Sequence, residues 1–162
     1  MANEKLLFPE ILARMTLVNV LCRASEVRRE SNGPADTARV DFSFGFGAQE
    51  DQVVVEVNQD VNVFAIEQSP FLNFSGAFLV AYSLPDAESI LEGSDELQST
   101  ITRYAHMAVH PYLRALTADQ GSQVGVPGVT LGFLRLGAAL PESLTVGDKL
   151  FTFNESDART EA

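Results

Sequence analysis

Alternation between apolar and polar positions dominates the first half of the chain. Val40, Phe42, Phe44 and Phe46 alternate with Asp41, Ser43, Gly45 and Gly47, which predicts a strand with one strongly apolar face. Val53, Val55 and Val57 share a face opposite Glu56 and Asn58, and Val61 and Val63 resume that parity. The polar pair Gln59-Asp60 between them predicts a bulge or bend, and Phe64 and Ile66 populate the second parity. Leu72, Phe74, Phe78, Val80 and Tyr82 fall together, with Asn73, Ser75, Ala77, Leu79 and Ala81 opposite. Upstream, the β-branched content around Val18, Val20 and Cys22 favours a long strand over 14–29, with an amphipathic helix as the competing reading. Ser31-Asn32-Gly33-Pro34, Gln49-Glu50-Asp51 and Ser69-Pro70 mark the turns. Such short connections predict an antiparallel meander.

The period changes beyond an acidic connection over 84–94. Leu97, Ile101, Tyr104, Ala105, Ala108, Tyr112 and Leu116 recur at helical spacing, with Ser94 or Asp95 placed to cap. Pro111 predicts a kink or a division into two segments, and Gly121 a break followed by the irregular Gly125, Pro127 and Gly128. After Leu134 the pattern fades: Gly137, Pro141 and Gly147 interrupt it, while Leu150, Phe151 and Phe153 predict a terminal strand. Residues 4–13 read as a short helical or irregular lead-in broken by Pro9, and 155–162 as a frayed tail. The fold class is therefore α+β, a four-stranded antiparallel sheet with a long kinked helix packed on one face. Its organisation is a lead-in over 1–13, one domain over 14–134, and a C-terminal extension over 135–162.

At 162 residues and 46% hydrophobic composition, the chain suits one domain with a real core. The single cysteine, Cys22, excludes an intramolecular disulfide and a multi-cysteine zinc site. The opening residues make a poor secretory signal, and no apolar run approaches the roughly 20 residues needed to span a bilayer. A cytoplasmic location without membrane insertion is the expectation. Twenty-two acidic against 11 basic residues give a formal charge of −11, which repels phosphate backbones and argues against nucleic acid as a partner.

Candidate chemistry is thin. His106 and His110 stand four apart, a spacing that can place two imidazoles on one metal. Met107-Ala108-Val109 between them lacks the glutamate of a zinc peptidase, and no third ligand lies near in sequence, so packing or an interface role is preferred and no metal is expected. Cys22 sits between Leu21 and Arg23 without a nucleophile motif. Gly45-Phe46-Gly47 lacks the third glycine of a dinucleotide fingerprint, and 121–132 lacks the ending of a phosphate loop, so no cofactor is expected. Asn73-Phe74-Ser75 and Asn154-Glu155-Ser156 match glycosylation acceptors that carry meaning only for a secreted chain. The phenylalanines are more informative. A sheet covered by a helix on one side needs one apolar face, yet the second and third clear strands carry large apolar groups on both parities, which predicts an oligomer interface or a groove for apolar peptide.

The order of long strand, three further strands, acidic linker, kinked helix and apolar connection resembles SecB-type chaperones. The residues that carry the resemblance are Tyr104, His110-Pro111-Tyr112-Leu113-Arg114 and Val126-Pro127-Gly128-Val129-Thr130-Leu131. The family usually has Phe or Tyr before the Pro-Tyr pair, where this chain has His110. The resemblance implies an ATP-independent, non-enzymatic holdase that binds unfolded polypeptide in apolar grooves and assembles as a homotetramer, a dimer of dimers. Carried onto this chain, the groove would use Phe74, Phe78, Tyr112, Val126, Val129 and Leu131. The oligomer interface would use Val20, Cys22, Tyr104 and Ala108. The clients would be unfolded preproteins for export, with a SecA-type motor docking on acidic residues such as Glu26, Glu30 and Glu56, or a dedicated client such as an antitoxin. The family's second helix is shortened or absent here, since Gly137-Ala138-Ala139-Leu140-Pro141 leaves little room for it. A module binding a small apolar ligand, or an adaptor, is the alternative; a metal enzyme using His106 and His110 is a third.

Overall fold

The structure is a computed structural model that describes residues 8–135 and 138–154. A short helix, α1 (Phe8–Arg14), leads into four long strands: β1 (Thr16–Arg29), β2 (Thr37–Gln49), β3 (Gln52–Phe64) and β4 (Pro70–Ser83). Pro9 falls in the first turn of α1, where its missing N–H costs nothing. The connection after β4 contains α2 (Ala87–Leu91), and α3 (Asp95–Gln123) follows. Three short strands complete the described chain: β5 (Thr130–Leu131), β6 (Ser143–Val146) and β7 (Lys149–Thr152).

The four long strands form one antiparallel sheet with α3 across one face, so the architecture is α+β as the periodicity predicts. The simple meander needs correcting. Strand order is β1-β4-β3-β2, so β2, β3 and β4 meander while β1 lies at the far edge beside β4. The segment between β1 and β2 crosses the strand ends, held where Glu30 N donates to Phe71 O at 2.9 Å and Asp36 N to Phe64 O at 2.8 Å. The driving force is apolar matching: Val20, Cys22 and Val27 register with Val80, Phe78 and Phe74, all three buried.

Two further expectations change. No bulge occurs at Gln59-Asp60, where register with both neighbours is unbroken; Gln59 simply keeps the inward parity and is buried. The irregularities fall instead on β1, between Leu17 and Asn19 and between Cys22 and Ala24, and at the end of β3. Helix α3 is continuous through Pro111 and passes Gly121 before ending at Gln123. Pro111 is on the solvent side, so the carbonyl it leaves unbonded one turn back loses little. Ser94 occupies the N-cap position without a side-chain capping bond.

Beyond Leu134 the described residues contain no helix; β6 and β7 lie there instead and join β5 in a small antiparallel sheet. The predicted terminal strand at Leu150 and Phe151 is β7. The expected tail over 155–162 lies outside the described residues, as do Gly137 and residues 1–7 of the lead-in. The core is one layer between sheet and helix, in which Val53, Val55, Val57, Val61, Phe74 and Val80 meet Leu97, Ile101, Ala105, Val109 and Leu113.

Candidate functional site

Close helix–sheet approach is made possible at Gly76, where a Cβ would lie 3.0 Å from Leu116 Cδ2 and 3.4 Å from Leu113 Cδ2. Two glutamines satisfy polar groups inside this contact. Gln120 Nε2 donates to the Glu26 carbonyl at 3.0 Å, tying the end of α3 to β1. Gln59 Nε2 reaches Thr117 Oγ1 at 3.5 Å, and Thr117 in turn donates to Leu113 O at 2.7 Å. Gln59 Oε1 is buried with no partner.

The segment after α3 folds back along the helix and is pinned at three levels. Gly121 leaves room for Val129: a Cβ there would come within 2.6 Å of Val129 Cγ2. Arg114 Nε donates to Leu131 O at 2.8 Å, and the guanidinium carbon lies 4.3 Å from the Phe133 ring centroid. His110 Nε2 lies 2.8 Å from Gly132 O; a carbonyl only accepts, so this nitrogen carries the proton. One turn earlier, His106 is buried against Phe42 and Phe44, with ring centroids at 4.2 and 5.4 Å. Burial, and secondarily the neighbouring His110, push the His106 pKa down to about 4, so it is a neutral core imidazole at pH 7. Burial also lowers the pKa of His110, against the opposing effect of its bond to Gly132. The pair serves packing and anchoring, and among the described residues no group of three or more His, Cys, Asp or Glu could hold a metal ion.

The groove residues expected from sequence divide by depth. Phe74, Phe78, Val126, Val129 and Leu131 are buried within this chain, whereas Tyr112 is 54% exposed. Phe78 and Tyr112 still meet at a seam between sheet and helix, with centroids 6.3 Å apart. The expected interface residues lie nearer the surface: Cys22 and Tyr104 are exposed, Val20 and Ala108 half-buried. Tyr104, Ala108 and Tyr112 follow one another at four-residue spacing on α3, so positions assigned to two different roles share one row. Leu17, Val18 and Leu21 add exposed apolar groups on β1. On the opposite flank of the helix, Phe44 is 43% and Phe133 64% exposed. The alternation along β2 does not mark Phe44 as open, and Phe133 is not among the residues expected from sequence; Phe44 is open because β2 lies at the edge of the sheet.

The face of the sheet away from α3 is small and polar along the row Ala24, Ala77, Asn58 and Ser43, and carries apolar groups at Leu21, Leu79 and Val54. Its charges are matched: Arg23 with Glu56 at 3.1 Å, Arg28 with Glu26 at 2.5 Å, Arg39 with Asp41 at 2.6 Å. Asp60 accepts from Asn73 at 2.7 Å and Asn62 at 3.2 Å. Among the described residues, no helix is long and apolar enough to cross a membrane.

Four long antiparallel strands in the order β1-β4-β3-β2 under one long helix define a SecB-like fold, and comparison with solved structures finds that fold. The chain superposes on the SecB-like chaperone of Mycobacterium tuberculosis, solved in complex with a ChAD peptide from an antitoxin, with a TM-score of 0.67. Sequence identity is 14%, over 79% of this chain and 96% of that one. A protein of unknown function from Streptococcus agalactiae aligns at 11% identity over 74% of this chain and 97% of that chain, with a TM-score of 0.39, too loosely to inform the fold. No protein-family model matches the sequence, and no curated protein matches it.

Proposed function

We propose that the chain is a holdase chaperone that binds extended, non-native polypeptide without ATP and without catalysing a reaction. The observation that carries this reading is the pair of apolar flanks along α3, in a fold shared with a chaperone solved with a peptide. Tyr104 and Tyr112 stand open on one flank, and Phe44 and Phe133 on the other. Exposed aromatic groups of this kind suit sequence-tolerant contact with unfolded chains. Phe78 and Tyr112 would meet the client, with Phe74, Val126, Val129 and Leu131 as the layer beneath. Assembly as a homotetramer through Val20, Cys22, Tyr104 and Ala108, and a cytoplasmic location, belong to the same reading.

A dedicated client, of which an antitoxin is one kind, is favoured over motor-linked export. Glu26 and Glu56, two of the three acids expected to attract a SecA-type motor, are each matched by an arginine on the open face. That pairing weakens the negative field a basic docking partner would need. Native mass spectrometry with and without an unfolded polypeptide tests the proposal. A multimer that acquires client mass is expected; an intact multimer that takes up none overturns it.

A further inference from the structure

The two edges of the main sheet are built differently. β1 carries two register shifts, the usual way an edge strand is spoiled for further pairing. β2 runs from Thr37 to Gln49 in unbroken register with β3, contains no proline, and has no charge from Phe42 to Gln49. The direction of its backbone groups follows from the ladder. Leu84 N donates to Asp51 O at 2.9 Å in the register Gln52↔Ser83, so odd-numbered β3 residues bond towards β4 and even-numbered ones towards β2. Their β2 partners are odd-numbered, as in Gly45↔Glu56 and Ser43↔Asn58. The N–H and C=O groups of Val40, Phe42, Phe44 and Phe46 therefore point outward from the sheet. Among the described residues, none of them has a partner on that side.

This free edge is apolar on the helix side, where Phe42 and Phe44 stack with centroids 6.4 Å apart and Phe44 remains partly open. At Gly47 a Cβ would meet nothing within 4 Å, so another backbone can approach. On the other face, a trough of about 950 Å³ runs across the polar row from Ala24 past Ala77 and Asn58 to Ser43 and reaches the edge at Phe44, with Ala139 and Leu140 of the connection between β5 and β6 on its rim. We propose that the β2 edge is a strand-addition site for an extended polypeptide, which pairs its backbone with Phe42, Phe44 and Phe46. This rests on the chaperone reading and names how that client is held.

A second copy fits the edge poorly. The exposed parts of Phe44 and Phe133 amount to apolar area on the order of 200 Å², against roughly 800 Å² per partner in a standard interface. A single strand gains backbone hydrogen bonds that need no such area, and its side chains vary freely.

The test uses a short fluorescein-labelled peptide alternating Leu and Thr, unmodified and in two N-methylated forms, one methylated at the Leu amides and one at the Thr amides. Strand addition uses alternate amides only, so one methylated form should bind at least roughly tenfold more weakly while the other stays within about twofold. Amide exchange at Phe42, Phe44 and Phe46 should slow when the unmodified peptide binds, with Ser43 and Gly45 little changed. Equal affinity of all three forms, or equal loss from both methylated forms, overturns strand addition and leaves the chaperone reading standing. An unmodified peptide and an unfolded polypeptide that both fail to bind overturn the two together.

Discussion

Val129 is seated directly on Gly121: its Cγ2 occupies the space where a Cβ on Gly121 would lie, at 2.6 Å. This contact fixes where the chain turns back after α3, because the Val126 backbone oxygen is also only 3.0 Å from that space. Gly121→Ala should therefore destabilise the protein by about 1–3 kcal/mol, despite a gain of up to ~1 kcal/mol in helix propensity. The combination with Val129→Ala should recover part of the loss. Chemical denaturation of the three variants measures it.

Acid should weaken the fold through His106. Its folded pKa lies near 4, below the ordinary value of 6.5, so the unfolded chain binds the proton more readily. The stabilisation is complete above pH 6.5 and is lost as pH falls towards 4. Between pH 7 and pH 5 the loss from this residue is about 2 kcal/mol; His110, also lowered, acts in the same direction. Urea midpoints at the two pH values should diverge in the natural protein and diverge less in His106→Leu, where His110 remains.

The buried Gln59 amide makes one long bond, 3.5 Å to Thr117, and leaves Oε1 unpaired. Thr117 keeps its own bond to Leu113 O. Gln59→Leu should accordingly be neutral or stabilising by roughly 1 kcal/mol. Gln120→Ala, which removes a donor to the Glu26 carbonyl, should cost about 1–3 kcal/mol. Thermal melts of both variants check the opposite signs.

Substitutions on and beneath the surface should separate function from stability. Tyr112→Ala should reduce client binding with a change in stability within about 0.5 kcal/mol. Phe74→Ala should cost about 3–5 kcal/mol, and Val129→Asp should unfold the chain by burying an unpaired carboxylate. Client binding and urea denaturation on the same samples distinguish the two outcomes.

The sheet was readable because burial has a period of two: Val53 to Val63 and Leu72 to Tyr82 state their inward faces residue by residue. Which strands become neighbours is not carried by that period, so the position of β1 beside β4 could not be read from either strand alone. Pro111 and Gly121 look like breaks because local propensity says so; Pro111 faces solvent, where the lost bond costs little, and at Gly121 the packing of Val129 overrides propensity. Depth explains the divided site. Val126, Val129 and Leu131 are apolar whether they line a groove or fill a core, and only the fold shows that they fill one. Phe44 has the reverse history, since its exposure depends on β2 lying at an edge, and Phe133 stands open in the connection after β5.

The measurement closest to the central claim is light scattering from an unfolded polypeptide diluted out of denaturant, with and without this protein and with no nucleotide present. A holdase predicts that scattering is suppressed at near-stoichiometric ratio and that Tyr112→Ala weakens the effect. Unchanged scattering in the presence of the folded, intact protein would contradict it.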